Sequence, residues 1–248
     1  FDINRRQKGD GRKMSSYLTW FEKTLELKCD FSIYTQDKYK NFTESSRYNS
    51  NNKTYIETDE ISNCSFYRNL GIISKTISSQ NYKSSMKDCR RIECYLPEYL
   101  VLIYSKFEWL LKSIKKFPQY DYYAWLDAGF SRFFNQWNID SPWPENEKKY
   151  NIEKVSVIGN SYYQDFCASL KKKTHMWENR SMTSAGLFLG GKDIMLWFKK
   201  KIEETFNELL KYGCVNNEQI LTDILSSENP EKFDVMFPKK HGDWLGLI

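Results

Sequence analysis

The segment Asp121-Tyr-Tyr-Ala-Trp-Leu-Asp-Ala-Gly129 contains an aromatic-rich strand that ends in one carboxylate, Asp127. Ala128 and Gly129, which have almost no side chain, follow it directly. In an open α/β sheet, ligands bind outside the carboxyl ends of the strands, and small residues there let a phosphate or a metal ion approach the backbone. The segment therefore predicts a nucleotide-diphosphate site at Asp127. The alternative is that Asp127 only caps the following turn, since Asp-x-Gly is common in turns.

The segments around this strand alternate between helical and extended patterns. Apolar residues repeat at spacings of three and four in residues 15–28, 97–117, 193–212 and 218–225, and extended segments are predicted at 1–5, 31–35, 154–158, 183–191 and 233–237. Alternating strands and helices are typical of α/β proteins. We therefore expect one α/β domain, with a mixed, mostly parallel sheet flanked by helices.

Other segments predict loops, turns and caps. Residues 41–66 are rich in Asn, Ser, Thr and charge and predict an extended loop, and residues 130–150 predict a loop over the site. Gly190 and Gly191 fit either close approach of a ligand or a tight turn before a helix. Gly213 stands where a left-handed helix cap belongs, and Asn216 or Asn217 can begin the next helix.

Composition limits the classes of partner. The net charge of +5, from 37 basic and 32 acidic residues, is too mild to indicate nucleic acid. Lysine clusters at 171–173, 199–201 and 239–240 predict solvated helix faces or ends; the alternative is contact with an anionic membrane surface or a sugar-diphosphate donor. Six cysteines without a C-x-x-C pair indicate neither a zinc site nor a disulfide framework.

The sequence does not decide the cellular compartment of the protein. No run approaches the ~20 apolar residues that span a bilayer, and the first residue, Phe1, suggests a chain trimmed at its N-terminus. The cytoplasm or a peripheral membrane site is expected for a bacterial protein, and the secretory lumen for a eukaryotic one. The aromatic content of 17% suits stacking against sugar rings, or reflects a general compositional bias.

Several segments, in the same order along the chain, resemble the HtrL/YibB family. They are Phe1-Asp-Ile-Asn-Arg5, Tyr17-Leu-Thr-Trp-Phe21, Ile33-Tyr-Thr35, Trp125-Leu-Asp-Ala-Gly129, Ser184-Ala-Gly-Leu-Phe-Leu-Gly-Gly191 and Asn217-Glu-Gln219. That family is in turn similar to GT-A glycosyltransferases, which move sugar from a nucleotide-sugar donor. The resemblance implies a single GT-A-like, Rossmann-like domain over residues 1–248, with a nucleotide-binding half at about 1–130 and an acceptor half at about 131–248. A glycan or glycolipid acceptor is implied.

The resemblance also assigns a metal site. Asp127 falls where GT-A enzymes place a D-x-D carboxylate that holds a divalent cation, Mn²⁺ or Mg²⁺, against the donor diphosphate. Gly129 stands where the second aspartate would be. His241 is the implied further ligand, with Lys239 or Lys240 contacting phosphate; the alternative is that His241 is a surface residue.

The remaining site residues follow from the same resemblance. Glu218 is the candidate general base beside Asp127, although an acidic residue in a first helical turn also favours the helix dipole by itself. The residues expected to contact the donor, or in part the acceptor sugar, are Asp2, Arg5, Arg12, Ser184, Ala185, Gly186, Gln219 and Lys240. Two alternatives remain: a non-catalytic carbohydrate- or nucleotide-binding relative, and a metal-dependent nucleotidyltransferase.

Overall fold

The computed structural model describes residues 13–133, 142–144, 149–160, 162–163, 167 and 169–238. The helices in these ranges are α1 Met14–Thr24, α2 Lys40–Arg47, α3 Leu70–Ser78, α4 Gln80–Ser85, α5 Pro97–Lys116, α6 Lys172–His175, α7 Lys192–Lys211 and α8 Glu218–Glu228. The strands are β1 Phe31–Thr35, β2 Thr54–Thr58, β3 Tyr122–Leu126, β4 Val155–Gly159, β5 Thr183–Gly191 and β6 Phe233–Met236.

The strands form two small sheets. β1 and β2 pair in parallel, and the larger sheet has the order β3-β5-β4-β6. In the larger sheet β5 is antiparallel to both β3 and β4, while β4 and β6 are parallel. Consequently β3, β4 and β6 share one direction, and their carboxyl ends meet the amino end of β5 at one edge.

Helices α5 and α7 supply the core against this sheet. The predicted apolar stripes are confirmed: Ile103 and Phe107 of α5 and Phe198 and Ile202 of α7 are buried. Phe107 stacks on Phe188 of β5 with ring centroids 5.3 Å apart. The sheet combines β3 from the predicted nucleotide-binding half with β4 to β6 from the predicted acceptor half. The described residues form one α/β domain with mixed strands, which confirms that part of the prediction.

The predicted loop at 41–66 is wrong, because the segment contains α2, β2 and two short 3₁₀ helices. The buried Arg47 of α2 organises it. Its guanidinium donates to the carbonyls of Leu25, Leu27 and Cys29, which follow α1, and to Thr54 of β2. Tertiary hydrogen bonds thus order a segment whose polar composition predicts a loop.

Local end signals of the helices are confirmed. Gly213 has a positive φ of 70° after α7, and the side chain of Asn217 accepts a hydrogen bond from the amide of Ile220 at the start of α8. Among the described helices, none combines the length and the apolar character that a bilayer crossing needs.

Gly190 and Gly191 lie where protein atoms leave no space for a side chain. A Cβ at Gly191 would lie 2.3 Å from Cγ1 and 2.7 Å from the carbonyl oxygen of Ile152, and one at Gly190 would lie 2.8 Å from the carbonyl oxygen of Lys154. The strand runs directly into α7. Close packing within the protein, rather than approach of a ligand, therefore accounts for both glycines.

We expect Gly191→Ala to lower the free energy of unfolding by about 1 to 3 kcal/mol, because overpacking forces the neighbouring backbone to move. Gly71→Ala is the control, since nothing lies within 4 Å of a Cβ there. That helical change should raise stability by up to about 1 kcal/mol. Equal urea midpoints for wild type and Gly191→Ala would contradict the packing described above.

Candidate functional site

Four elements meet at the carboxyl end of β3. Asp127 follows β3 directly, and its amide donates to the carbonyl of Gly186 in β5 at 2.8 Å. Helix α5 contributes Lys106, and the first residue of α8 is Glu218. The antiparallel register, which pairs Leu126 with Leu187, brings the end of β3 to the middle of β5. Residues far apart in the sequence thus form one cluster.

In the described part of the chain, the hydrogen bonds to the Asp127 carboxylate reach one of its two oxygens. Its Oδ1 accepts a hydrogen bond from Trp125 Nε1 at 2.7 Å and one from Lys106 Nζ at 3.4 Å. The side chain is 47% exposed. A Cβ on Gly186 would lie 3.4 Å from Oδ2, so the missing side chain of Gly186 leaves space beside that oxygen.

The turn after β3 is closed by the main chain. The amide of Phe130 donates to the backbone carbonyl of Asp127 at 2.9 Å. The hydrogen bonds to the Asp127 side chain come instead from Trp125 and Lys106. Turn capping is therefore not what holds this carboxylate.

Lys106 is the buried cation of the cluster. Its Nζ donates to Glu218 Oε1 at 2.6 Å and to the carbonyl of Ala185 at 2.9 Å, in addition to Asp127. Burial by itself lowers the pKa of this lysine, but the attraction of Asp127 and Glu218 outweighs burial and raises the pKa. The ammonium therefore stays charged in the interior.

Glu218 shares Lys106 with Asp127, and its side chain is 7% exposed. Burial raises the pKa of this carboxyl, the neighbouring Lys106 opposes that effect, and the negative charge of Asp127 adds to it. The pKa values of Glu218 and Lys106 are both raised, although a close cation alone would lower that of a carboxyl. In Glu218 the desolvation outweighs the attraction.

The start of α8 is held by a buried polar network. Asn217, the residue before Glu218, also donates from Nδ2 to Glu93 Oε1 at 2.9 Å. Glu93 forms an ion pair with Arg91, whose Nε lies 3.1 Å away. Asn217 thus binds both the first turn of α8, at Ile220, and Glu93 outside it, and these contacts fix the helix start that carries Glu218.

A second network holds the start of β5. Asp223 of α8 accepts hydrogen bonds from the amides of Met182 and Thr183 and from the hydroxyl of Thr183, and it lies 3.0 Å from Nε2 of His175. Sequence analysis did not identify Asp223 or His175. Their contacts are within the protein and fix β5 against α8.

Three other predicted site residues, Ser184, Ala185 and Gln219, make different contacts. Ser184 Oγ is 3.5 Å from the amide of Gly186. The Ala185 side chain is buried, and its carbonyl receives the Lys106 hydrogen bond. Gln219 Oε1 accepts from Ser181 Oγ at 3.1 Å, so this side-chain contact is with the segment that precedes β5. The structure brings together Asp127, Ser184 to Gly186 and Glu218.

The remaining predicted residues lie outside the described ranges. These are Asp2, Arg5, Arg12, Lys239, Lys240 and His241.

A stack of aromatic rings supports the Asp127 side chain. The ring of Trp109 stacks on Trp125 at 6.3 Å and on Tyr34 at 6.1 Å. Trp109 Nε1 donates to Asp59 Oδ2 at 3.0 Å, just after β2. The stack therefore connects the smaller sheet to the indole that orients Asp127.

The position of Gly129 is filled by α1. A Cβ there would lie 3.2 Å from Cε1 of Tyr17 and 3.4 Å from Cε3 of Trp20. A side chain at 129 would require the ring of Tyr17 to shift by a few tenths of an ångström. Packing of α1 therefore leaves little space for an aspartate at position 129.

The donor set does not by itself make up a metal site. Among the described residues, no three His, Cys, Asp or Glu side chains are arranged to hold an ion. The two carboxylates of the cluster, Asp127 and Glu218, are bridged by the Lys106 ammonium. His241 lies outside the described residues, so the predicted Mn²⁺ or Mg²⁺ site stays a prediction.

The predicted lysine clusters lie mostly against carboxylates. Lys172 contacts Glu208 and Glu228, and Lys199 contacts Glu203. The Lys199 pair spans one turn of α7, as on a solvated helix face, whereas the Lys172 pairs join α6 to α7 and α8.

Comparison with known proteins gives one match. The sequence model of the HtrL_YibB family, described as "Bacterial protein of unknown function", matches residues 1–248. The chain belongs to the HtrL_YibB family. The resemblance seen in the sequence is therefore confirmed at the level of the family. Neither the search of curated proteins nor the search of solved structures found a match.

Lys106 is the site residue of this HtrL_YibB protein that sequence analysis missed. A signal was present: Lys106 lies three residues after Ile103 and four before Leu110, within the apolar stripe of α5. A charged residue is almost never fully buried without a partner. A lysine in such a stripe therefore indicates a buried carboxylate partner.

Proposed function

We propose that this protein is a glycosyltransferase that moves a sugar from a nucleotide-sugar donor to a glycan or glycolipid acceptor. One observation carries the proposal: Asp127, Gly186 and Glu218 meet at the carboxyl end of β3, and the Asp127 side chain is about half exposed there. Strand ends of this kind are where α/β folds bind ligands. We also propose that the HtrL_YibB family is similar to GT-A glycosyltransferases.

Asp127 and Gly186 form the donor side of the proposed site. Oδ2 of Asp127 is a hydrogen-bond acceptor, and a sugar hydroxyl is a donor that could reach it beside Gly186, which has no side chain. Trp125 and Lys106 both donate hydrogen bonds to Oδ1 of Asp127, so the carboxylate is orientated before a ligand binds. Fixed orientation lowers the cost of reaching the reactive geometry.

The charge of the cluster sets a requirement on the donor diphosphate. Lys106 with two carboxylates has a formal charge of −1, which repels a diphosphate. Transfer therefore needs further positive charge, and the proposal assigns it to Arg5, Arg12 and Lys240. The predicted divalent cation would add to it, with Asp127 and His241 as ligands.

Glu218 is the proposed general base. Burial raises the pKa of this carboxyl, which makes its carboxylate a stronger proton acceptor. In transfer, the acceptor oxygen bonds to the anomeric carbon, its proton passes to the Glu218 carboxylate, and the bond from that carbon to the diphosphate breaks. The nucleoside diphosphate leaves with the electron pair.

A non-catalytic binding relative is the second candidate. The observation in its favour is that Glu218 is buried and already bonded to Lys106. In such a protein the same cluster would orient Asp127 for binding without transferring a proton. The nucleotidyltransferase alternative needs further carboxylates that converge on a metal.

A thermal-shift screen tests donor binding. Ligands that bind only the native state raise the melting temperature, by an amount equivalent to about 2.7 kcal/mol at a hundred times Kd. We expect one family of nucleoside diphosphates or nucleotide-sugars, with or without Mn²⁺, to raise Tm of the full chain. Absence of a shift with every donor would contradict the proposed donor site.

A further inference from the structure

Two carboxylates in the described part of the chain share one buried cation. The side chain of Lys106 is 3% exposed, and it lies on the core face of α5. Its acceptors are Asp127 after β3, Ala185 in β5 and Glu218 in α8. Three elements of the site thus converge on one ammonium group.

The geometry uses the whole hydrogen-bonding capacity of this lysine. An ammonium has three N–H donors, and three acceptors lie 2.6 to 3.4 Å from Nζ. No donor is left for a substrate, and the side chain is almost without exposed surface. Lys106 therefore acts through the groups it holds.

We infer that Lys106 is the positioning residue of this site, and that its ammonium holds the carboxylates of Asp127 and Glu218 at fixed places at the end of β3. The inference rests on the proposed function for its catalytic consequence. The physical link between the three groups can be measured without any substrate.

The ionisable groups around Glu218 define what a titration should show. They are Lys106 and Tyr104 of α5, and Asp127 after β3. Burial raises the pKa of Tyr104 well above its usual range, so that phenol is neutral near pH 7. The charges acting on Glu218 are then the Lys106 ammonium, which favours its ionised form, and the Asp127 carboxylate, which opposes it.

Carbon-13 NMR of glutamate carboxyls in the full chain tests the inference. The Glu218 resonance is identified by its loss in Glu218→Gln. In Lys106→Met we expect its titration midpoint to rise by at least about one pH unit, since an opposite charge at this distance shifts a carboxyl pKa by about 1 to 3 units. An unchanged midpoint overturns the inference.

Lys112→Met is the matched control. Lys112 lies on the same helix, is 40% exposed and pairs with Asp59, so its loss should leave the Glu218 midpoint in place. If Lys106→Met does not fold, Asp127→Asn decides, because removing the like charge of a half-exposed residue should lower the Glu218 midpoint. Equal midpoints in wild type and Asp127→Asn also overturn the inference.

Kinetics separate this inference from the proposed function. If the protein transfers sugar, Lys106→Met should lower kcat by about a hundredfold with little change in KM. Misplaced carboxylates slow the chemical step, whereas Lys106 itself makes no contact that binds substrate. A change in KM alone would contradict a positioning role. If no donor is turned over, the proposed function fails, and the titrations still decide whether Lys106 holds the two carboxylates.

Discussion

Asp127→Ala is expected to lower sugar transfer by at least about a hundredfold and to leave the fold in place. The loss follows from removal of the half-exposed carboxylate that is proposed to contact the donor beside Gly186. Removing one fixed polar group that acts on the reacting centre typically costs about 10² to 10³ in kcat. The fold should persist because the side chain is half exposed and Lys106 keeps Glu218 as its partner.

Release of nucleoside diphosphate and the thermal midpoint are the two readouts for this variant. Asp121→Ala is the control, because Asp121 is an exposed aspartate at the opposite end of the same strand. It should leave turnover and melting unchanged. Wild-type turnover in Asp127→Ala, with unchanged melting, would remove Asp127 from the site.

Glu218→Ala is expected to lower the free energy of unfolding by about 3 kcal/mol. Removing one partner of a buried ion pair leaves the other charge poorly compensated, at a cost of about 3 to 5 kcal/mol. The remaining contact from Lys106 to Asp127, at 3.4 Å, retains part of the attraction and places the expected value at the lower end.

Urea unfolding at pH 7 measures this loss. Glu218→Gln should be less destabilising than Glu218→Ala, because the amide oxygen can still accept the Lys106 hydrogen bond. Glu231→Ala, at an exposed glutamate before β6, should leave the midpoint unchanged. If Glu218→Ala were as stable as Glu231→Ala, the buried pair would not contribute to the fold.

The helices and strands could be predicted because their buried apolar residues recur at a regular spacing. Phe107 and Phe198 repeat at helical spacing, and Phe188 lies in an apolar run between small residues, so periodicity located α5, α7 and β5. The segment at 41–66 was not readable. Its order depends on Arg47, which binds carbonyls more than fifteen residues away in the chain, and a window of neighbouring residues has no such information.

The candidate site was partly predictable for the same reason. Asp127 could be placed at a strand end from the residues around it, and Asn217 marked the helix start that carries Glu218. The pairing of both carboxylates with Lys106 spans 21 and 112 residues. That pairing depends on how α5 packs against β5 and α8, which local sequence patterns do not encode.

The most direct test of the proposed function is the identity of the product. Wild type is incubated with the nucleotide-sugar that raises its melting temperature most and with candidate glycan or glycolipid acceptors, and the released nucleotides are separated by anion exchange. We expect nucleoside diphosphate in amounts equal to the glycosylated acceptor, and its loss in Asp127→Ala. Pyrophosphate release, or tight binding with no product at all, would contradict it.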